Sequence, residues 1–462
     1  MASSRGIVLR RFLNASGQER ILMPAIIHPP HIIQNAMDEF IADHFQNEPQ
    51  RKHCANDLTG LFLAQSKTVA GITGEIVGAS DQSCLNPPND ETTQMNEVEW
   101  DHEELNATRI NWLQQFEGTK FSQNGIIALD DVLLDSIVAL VAPTGKHIDD
   151  VGIMYDHAKK RHILAHDLLF ANYVNPKSGK HYPLDFRRFK KEDQCESEEV
   201  DFKKQTELFR ELVGWCHDNA IPGTFVFDSH YSSKEDLNYI NSLKNDDDTS
   251  RAYVGDLMSN RIIVHKGVRQ QINVFATTIP PEDRRPMQIT GADGKQRTQY
   301  FLTVCVKMPD IDHKVRIVVI WKNREDAEAV KYLVTNRIFW NGEKIVEAYR
   351  YRWTGTETFH RDGKQELGLG DCQLRNGVGQ TRHTYMVMLA HSLLVRELGN
   401  GSLREWCRVK LTTVGEACRE LLRESIRSMV GWVMDELHIA LDRVSSKRFE
   451  QLLGRLGLVP LR

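Results

Sequence analysis

A helix–strand pair near the middle of the chain constrains the fold more than any other feature. Residues 200–220, VDFKKQTELFRELVGWCHDNA, repeat apolar side chains at the three-and-four spacing of an amphipathic helix. The segment FVFDSHYSS that follows, residues 225–233, begins as a buried apolar strand and carries Asp228 at its C-terminal end. A helix followed by an all-apolar strand indicates a crossover onto a sheet with a parallel component. The sequence therefore predicts an α/β fold.

Further strand signals lie on both sides of this pair. Residues 125–134, GIIALDDVLL, form a short apolar run with a pair of aspartates. Residues 151–174 predict two strands around the polar turn HAKKR, which is a hairpin. Residues 250–325 are rich in predicted strands, among them QINVFATTI, and resemble a β domain inserted between two halves of another domain. A long helix is predicted from about residue 342 to residue 367.

Size and composition limit the class of protein. A chain of 462 residues is long enough for two to four domains. The 41% of hydrophobic and 26% of charged residues are typical of a soluble folded protein, and a net charge of −5 leaves a nucleic-acid partner open. Eight cysteines without a CxxC pair argue against a zinc ribbon and against a disulfide scaffold. With no apolar run of membrane-spanning length and no signal peptide, we expect a cytoplasmic protein without a membrane partner.

Three acids stand out by their position. Asp130 and Asp228 end apolar strands, and Glu357 lies on the helix that follows a third strand. Sites in α/β sheets gather outside the carboxyl ends of strands, so these acids could converge. Carboxylates suit Mg²⁺ or Mn²⁺, and two such ions about 3.5–4 Å apart could activate water and stabilise the leaving oxygen of a phosphodiester. The alternative is that each aspartate only forms a turn or caps a helix.

The helix that carries Glu357 is rich in cations. Arg361 and Lys364 follow Glu357 by four and seven residues and therefore lie on the same helical face. A solvated face with ion pairs four residues apart would account for this pattern. Aromatic residues interleaved with the cations, however, favour a surface that contacts phosphates and stacks bases.

The same segment resembles a known signature. Residues 349–367, YRYRWTGTETFHRDGKQEL, resemble the Tyr-x2-Arg-x3-Glu-x6-Lys signature of DDE transposases from prokaryotic insertion sequences. Tyr349 and Arg352 keep the family spacing, and so do Glu357 and Lys364. Four residues separate Arg352 from Glu357 where the family has three. On a regular helix the extra residue rotates Glu357 by about 100°, unless a helical bulge absorbs it.

The resemblance extends to the two aspartate strands and implies a fold and a set of site residues. GIIALDDVLL and FVFDSHYSS are similar to the family's first- and second-aspartate strands. The resemblance implies an RNase H-like mixed-sheet core with a β-rich insertion, flanked by helical regions. The implied regions are an N-terminal helical, DNA-binding domain at 1–122, the first part of the core at 123–245, the insertion at 246–326, the second part of the core at 327–380 and a C-terminal helical region at 381–462.

The implied site residues divide into acids and cations. Asp130, Asp228 and Glu357 would be catalytic and would hold two Mg²⁺ or Mn²⁺ ions. Asp131 is a second choice, because successive side chains of a strand point to opposite faces. The implied DNA-contacting residues are Tyr349, Arg352, Arg361 and Lys364.

The function implied by the resemblance is cut-and-paste DNA transposition. The protein would cleave transposon ends and join them to target DNA, as a homodimer on double-stranded DNA in the nucleoid. Val132 stands where the family usually has threonine, and extra residues follow it. Two alternatives therefore stay open, namely an inactive or domesticated DNA-binding protein and an RNase H-like nuclease that cleaves without joining strands.

Overall fold

A computed structural model describes most of the chain. The described residues are 10–13, 19–22, 26, 28–76, 100–135, 148–290, 296–372, 374–399 and 410–443. The chain forms two compact units, the first made of residues 1–105, 366–374 and 382–462 and the second of residues 106–365 and 375–381. Among the described helices, none has the length and apolar character required to cross a membrane. The five-part division of the sequence stays a prediction.

The strands and helices are numbered in chain order. The strands are β1 Arg10–Leu13, β2 Glu19–Leu22, β3 Ile126–Asp135, β4 Gly152–Asp156, β5 Arg161–Val174, β6 His181–Phe189, β7 Thr224–Phe227, β8 Tyr253–Asp256, β9 Ile262–His265, β10 Val268–Gln271, β11 Arg285–Thr290, β12 Gln296–Val306, β13 Val315–Trp321 and β14 Lys331–Thr335. The helices are α1 His31–Ala36, α2 Glu48–Leu63, α3 Val69–Glu75, α4 His102–Leu113, α5 Glu192–Glu198, α6 Gln205–Asp218, α7 Lys234–Ser242, α8 Ile272–Thr277, α9 Gly342–Arg352, α10 Thr358–Glu366, α11 Gly377–Glu397 and α12 Val414–Arg443. A π-helical turn, Trp353–Glu357, joins α9 to α10.

The second unit is built on a ten-stranded mixed sheet. Its strand order is β11-β12-β13-β14-β8-β7-β3-β5-β4, and β6 pairs with β5. β7 is parallel to β3 and to β8, whereas the other pairs are antiparallel. Helix α6 precedes β7, and α7 connects β7 to β8, as parallel crossovers require. The predicted α/β class with a parallel component is therefore confirmed.

Helices cover both faces of the central strands. On one face, α9 places Ile345, Val346 and Tyr349 in a buried cluster with residues of the sheet, among them Ala128 and Val226. Phe227 follows Val226 and therefore points to the other face, where its ring packs against Phe209 of α6 at a centroid distance of 5.2 Å. The sheet is thus buried on both sides, which accounts for the all-apolar character of its parallel strands.

Two features differ from the pattern of the sequence. The predicted strand QINVFATTI is helix α8, in which Ile272, Phe275 and Ala276 are buried while Val274 is exposed. This spacing is that of a helix face, and burial of that face outweighs the β propensity of the branched residues. Strands β11–β13 also continue the central sheet through β14, which pairs with β8.

The turn before β7 generates a prediction about stability. Gly223 has φ +134°, and a Cβ there would lie 2.6 Å from the carbonyl oxygen of Gly125. Gly179 also has a positive φ, +74°, but a Cβ there would meet nothing within 4 Å. We expect Gly179→Ala to cost about 1–2 kcal/mol from backbone strain, and Gly223→Ala to cost more because of the added clash. Thermal unfolding of the two variants measures the difference, and equal melting temperatures would contradict it.

Candidate active site

Three aspartates lie at the same level on three adjacent parallel strands. The registers of β3 with β7 and of β7 with β8 align Ala128, Val226 and Val254. Asp130, Asp228 and Asp256 each lie two positions further along the chain. Neighbouring strands are about 4.8 Å apart, so these residues form a row at the carboxyl edge of the sheet. Asp256 was missed by the sequence analysis, although its strand YVGD ends in an acid as the other two do.

Asp130 is buried and paired with a cation. Its Oδ2 atom accepts a hydrogen bond from a terminal guanidinium nitrogen of Arg352 at 2.5 Å. The Thr356 hydroxyl lies 3.3 Å from the same oxygen and 2.8 Å from the carbonyl oxygen of Arg352. Both contacts use Oδ2, and Oδ1 accepts no hydrogen bond from any described residue. Oδ1 is therefore the oxygen left for a further ligand.

Other acids contribute to the electrostatic surroundings of Asp130. Burial raises the pKa of Asp130 to about 7, although Arg352 lowers it. Asp131, Asp228 and Glu357 each raise this pKa further. An influence of this kind requires the carboxylates to lie close together. The charges of Asp130, Asp228 and Glu357 therefore lie near one another at this edge of the sheet, and their shared catalytic role stays a prediction.

The π-helical turn determines where Glu357 lies. Glu357 lies five positions after Arg352, which on a regular α-helix places the two side chains roughly 140° apart. The π turn from Trp353 to Glu357 takes more residues per turn and returns both side chains to the side of Asp130. The helical bulge that the sequence offered as one alternative is thus present at the extra residue.

A glycine allows this turn to lie against the sheet. A Cβ at Gly355 would lie 2.9 Å from the Cβ of Ala128 and 2.9 Å from a methyl carbon of Val174. Thr356, the next residue, is fully buried. Its hydroxyl is close to the Arg352 carbonyl, one of the groups that a widened helical turn leaves without its usual α-helical partner. The turn is therefore fixed by close packing and by a side-chain hydrogen bond.

The predicted DNA-contacting residues fall into two groups. Tyr349 and Arg352 are buried, and Arg352 is engaged by Asp130. Arg361 and Lys364 are exposed; Arg361 pairs with Asp362, and Lys364 donates a hydrogen bond to the carbonyl oxygen of Leu133 at 2.8 Å. Contact of these four residues with DNA stays a prediction.

Asp131 faces the opposite side of the sheet from Asp130. Its carboxylate accepts a hydrogen bond of 3.3 Å from the buried hydroxyl of Tyr231. Burial raises the pKa of Asp131, and Asp228 raises it further. On the same face, burial and the charge of Asp131 raise the pKa of Asp167 to about 7, and Gln205 donates a hydrogen bond to Asp167. This geometry supports the choice of Asp130 over Asp131 as the principal aspartate.

The donor set at the sheet edge fits a magnesium or manganese ion. Carboxylate oxygens are the ligands that both ions prefer. The neighbouring carboxylates raise the pKa of Asp130, and a divalent cation would relieve that repulsion. Asp228 and Glu357 are accessible to solvent, so an ion could reach them. Asp130, Asp228 and Glu357 are the residues that would hold it.

Comparison with known proteins leaves the family open. No protein family model and no curated protein matches the chain. One similar solved structure is the NurA nuclease from Sulfolobus solfataricus, with 11% sequence identity and a TM-score of 0.23 over 55% of this chain and 83% of that one. A likeness of this size supports no inference about activity.

The packing of the π turn predicts the effect of a methyl group. Gly355→Ala forces a methyl group into the contact with Ala128 and Val174, so we expect a loss of about 1–3 kcal/mol in stability. Gly431 of α12 is the matched control, since a Cβ there would meet nothing within 4 Å. Gly431→Ala should be neutral or slightly stabilising because alanine favours helix. Thermal unfolding of both variants checks this, and a Gly355→Ala variant as stable as the control would contradict it.

Asp167 predicts a pH dependence of stability. Its pKa in the folded protein is about 7 against an ordinary 3.8, so the folded state holds a proton that the unfolded state has released between these values. The free energy of unfolding therefore falls as pH rises through this window. Asp167→Asn cannot titrate and keeps an acceptor for Gln205. We expect its stability relative to wild type to grow from about pH 4 to about pH 7 and then to level off.

Thermal unfolding across this pH range in a metal-free buffer measures the effect. The comparison at the acidic end of the range is the internal control, because there Asp167 is protonated in the folded protein. A constant difference between variant and wild type from pH 4 to pH 8 would show that Asp167 does not titrate in this way.

Proposed function

We propose that the chain is a DDE transposase with an RNase H-like core, which cleaves DNA ends with divalent metal ions and joins them to target DNA. The observation that carries this proposal is the convergence of Asp130, Asp228 and Glu357 at one sheet edge, where their charges act on one another. These residues are far apart in sequence, and although Asp228 also caps the short helix after β7, capping alone would not require Asp130 and Glu357 to lie nearby.

The arrangement of strands supports the proposed core. Strand β3 carries the first aspartate and is antiparallel to β5. β5 in turn is antiparallel to β6. The second aspartate follows β7, which is parallel to β3. Glu357 ends the π-helical turn that follows α9, and α9 packs over β3 and β7. An RNase H-like core of the kind implied by the sequence requires these three elements to be neighbours.

The residues of the site prepare it for attack on a phosphodiester. Divalent ions bound there would supply Lewis acidity and a nucleophilic water. Arg352 fixes the orientation of Asp130 by binding Oδ2, which would leave Oδ1 available to a metal ion. Asp228 accepts a hydrogen bond from the backbone N–H of His230 at 2.9 Å, which fixes one of its oxygens as well. The ligand oxygens are thus oriented before an ion arrives.

The exposed cations give the site a means of holding DNA. Arg361 and Lys364 lie on α10, which begins directly after Glu357. Neither is buried, so a phosphate backbone could compete with their present partners. Trp353, exposed over 56% of its surface, lies four residues before Glu357 and could stack against a base. A polyanionic substrate beside the acids is therefore consistent with the surroundings of the site.

Cleavage of DNA tests the proposal. We expect Asp228→Asn and Glu357→Gln to lose at least about 100-fold in metal-dependent cleavage, since loss of a metal ligand removes several kcal/mol of transition-state stabilisation. Glu343→Gln removes the same charge in the first turn of α9 and should retain activity. A melting-temperature increase on addition of Mn²⁺, present in wild type and reduced in both ligand variants, reports binding separately from catalysis.

The substrate distinguishes the proposal from its alternatives. The DNA that flanks this reading frame is searched for paired inverted repeats, and fragments that carry them are incubated with target DNA and Mn²⁺; joined products are expected. Cleavage without joining would favour the RNase H-like nuclease. Absence of both cleavage and Mn²⁺ stabilisation would favour a DNA-binding protein without catalysis, and full activity of Asp228→Asn would remove the acid site from the mechanism.

A further inference from the structure

Lys331 lies at the same sheet edge as the acids. It begins β14, which is antiparallel to β8, and Leu333 is the residue paired with Asp256. Lys331 is two residues before Leu333, so it projects past the end of β8 in the direction of the aspartate row. Sequence analysis assigned Lys331 no role, because it precedes the signature that begins at Tyr349.

Three contacts hold the ammonium group of Lys331 in place. Its Nζ lies 3.0 Å from Oδ2 of Asp256, 3.4 Å from the hydroxyl of Tyr349 and 4.7 Å from the centre of the Tyr349 ring. The side chain of Lys331 is nevertheless 35% exposed. A lysine ammonium has three N–H donors, and Asp256 and Tyr349 use two of them. The third is available to a ligand that approaches from solvent.

The same contacts connect Lys331 to the acid cluster. The guanidinium carbon of Arg352 lies 5.8 Å from the centre of the Tyr349 ring, and Arg352 binds Asp130. The row therefore consists of two ion pairs, Asp256–Lys331 and Asp130–Arg352, with the Tyr349 ring between their cations. Arg352 is buried and committed to Asp130, whereas Lys331 is the member of the row that presents a cation to solvent.

We propose that Lys331 binds a backbone phosphate of DNA beside the acids and that Asp256 and Tyr349 position it for this contact. The inference rests on the proposed function, because it requires DNA at this edge. A plain partly exposed ion pair would contribute little to stability and would need neither an aromatic ring beneath the ammonium nor a location next to an acid row. Phosphates approaching this edge meet several carboxylates, so a held cation there lowers the repulsion.

The salt dependence of DNA binding tests the role of Lys331. The full-length protein is titrated with double-stranded DNA without divalent metal at several salt concentrations. Each phosphate contact contributes about 0.9 to the slope of log binding constant against log salt concentration. We expect Lys331→Gln and Lys331→Ala to bind more weakly and to lower the magnitude of the slope by about 0.9, while Lys331→Arg retains it.

Lys344 provides a matched control. Its ammonium lies 4.4 Å from the centre of the Trp340 ring, so Lys344→Gln removes the same charge and the same kind of aromatic contact in the first turn of α9. Its slope should equal that of wild type. A wild-type slope in both Lys331→Gln and Lys331→Ala would overturn the role of Lys331 and leave the proposed function standing. If the wild-type protein shows no salt-dependent DNA binding, both proposals fail.

Discussion

The ion pair between Arg352 and Asp130 is the interaction on which the rest of the site depends. Both side chains are buried, so removing either would leave an unpaired charge in the interior at a cost of roughly 3–5 kcal/mol. The pair joins α9 to β3, an interior strand of the sheet that pairs with β7 and β5. It also fixes which oxygen of Asp130 stays free. One contact therefore both stabilises the core and orients Asp130, which is proposed as a metal ligand.

That pair could not coexist with Glu357 at the same site on a regular helix. The extra residue in the sequence would turn Glu357 away from Asp130, and the π turn reverses this rotation. The spacing of the signature was sufficient to predict that either a rotation or a bulge must occur. It could not decide between them, because the choice depends on tertiary packing. Gly355 against Ala128 and the buried Thr356 are the packing that decides it.

Sequence patterns predicted local elements better than their long-range consequences. The apolar strands at β3 and β7 and the helix α6 are where periodicity placed them, because burial on a regular element leaves a regular pattern. The extension of the sheet by β11–β14 depends on pairing partners that no single segment encodes. Burial of Tyr349 was likewise hidden, since tyrosine among cations suits a surface as well as a core. Asp256 was overlooked because its significance lies in its register with strands distant in sequence.

The balance of charge at the sheet edge explains how the acids divide their tasks. Arg352 compensates Asp130, and Lys331 compensates Asp256. Asp228 and Glu357 have no cationic side chain of the described residues within ion-pair distance, and both are accessible to solvent. An approaching divalent ion would therefore be attracted mainly by these two carboxylates. The oriented oxygen of Asp130 would complete its coordination by the protein. In the proposed function, two acids would attract the ion and one, held by Arg352, would complete its coordination, which would give a site that is both accessible and geometrically defined.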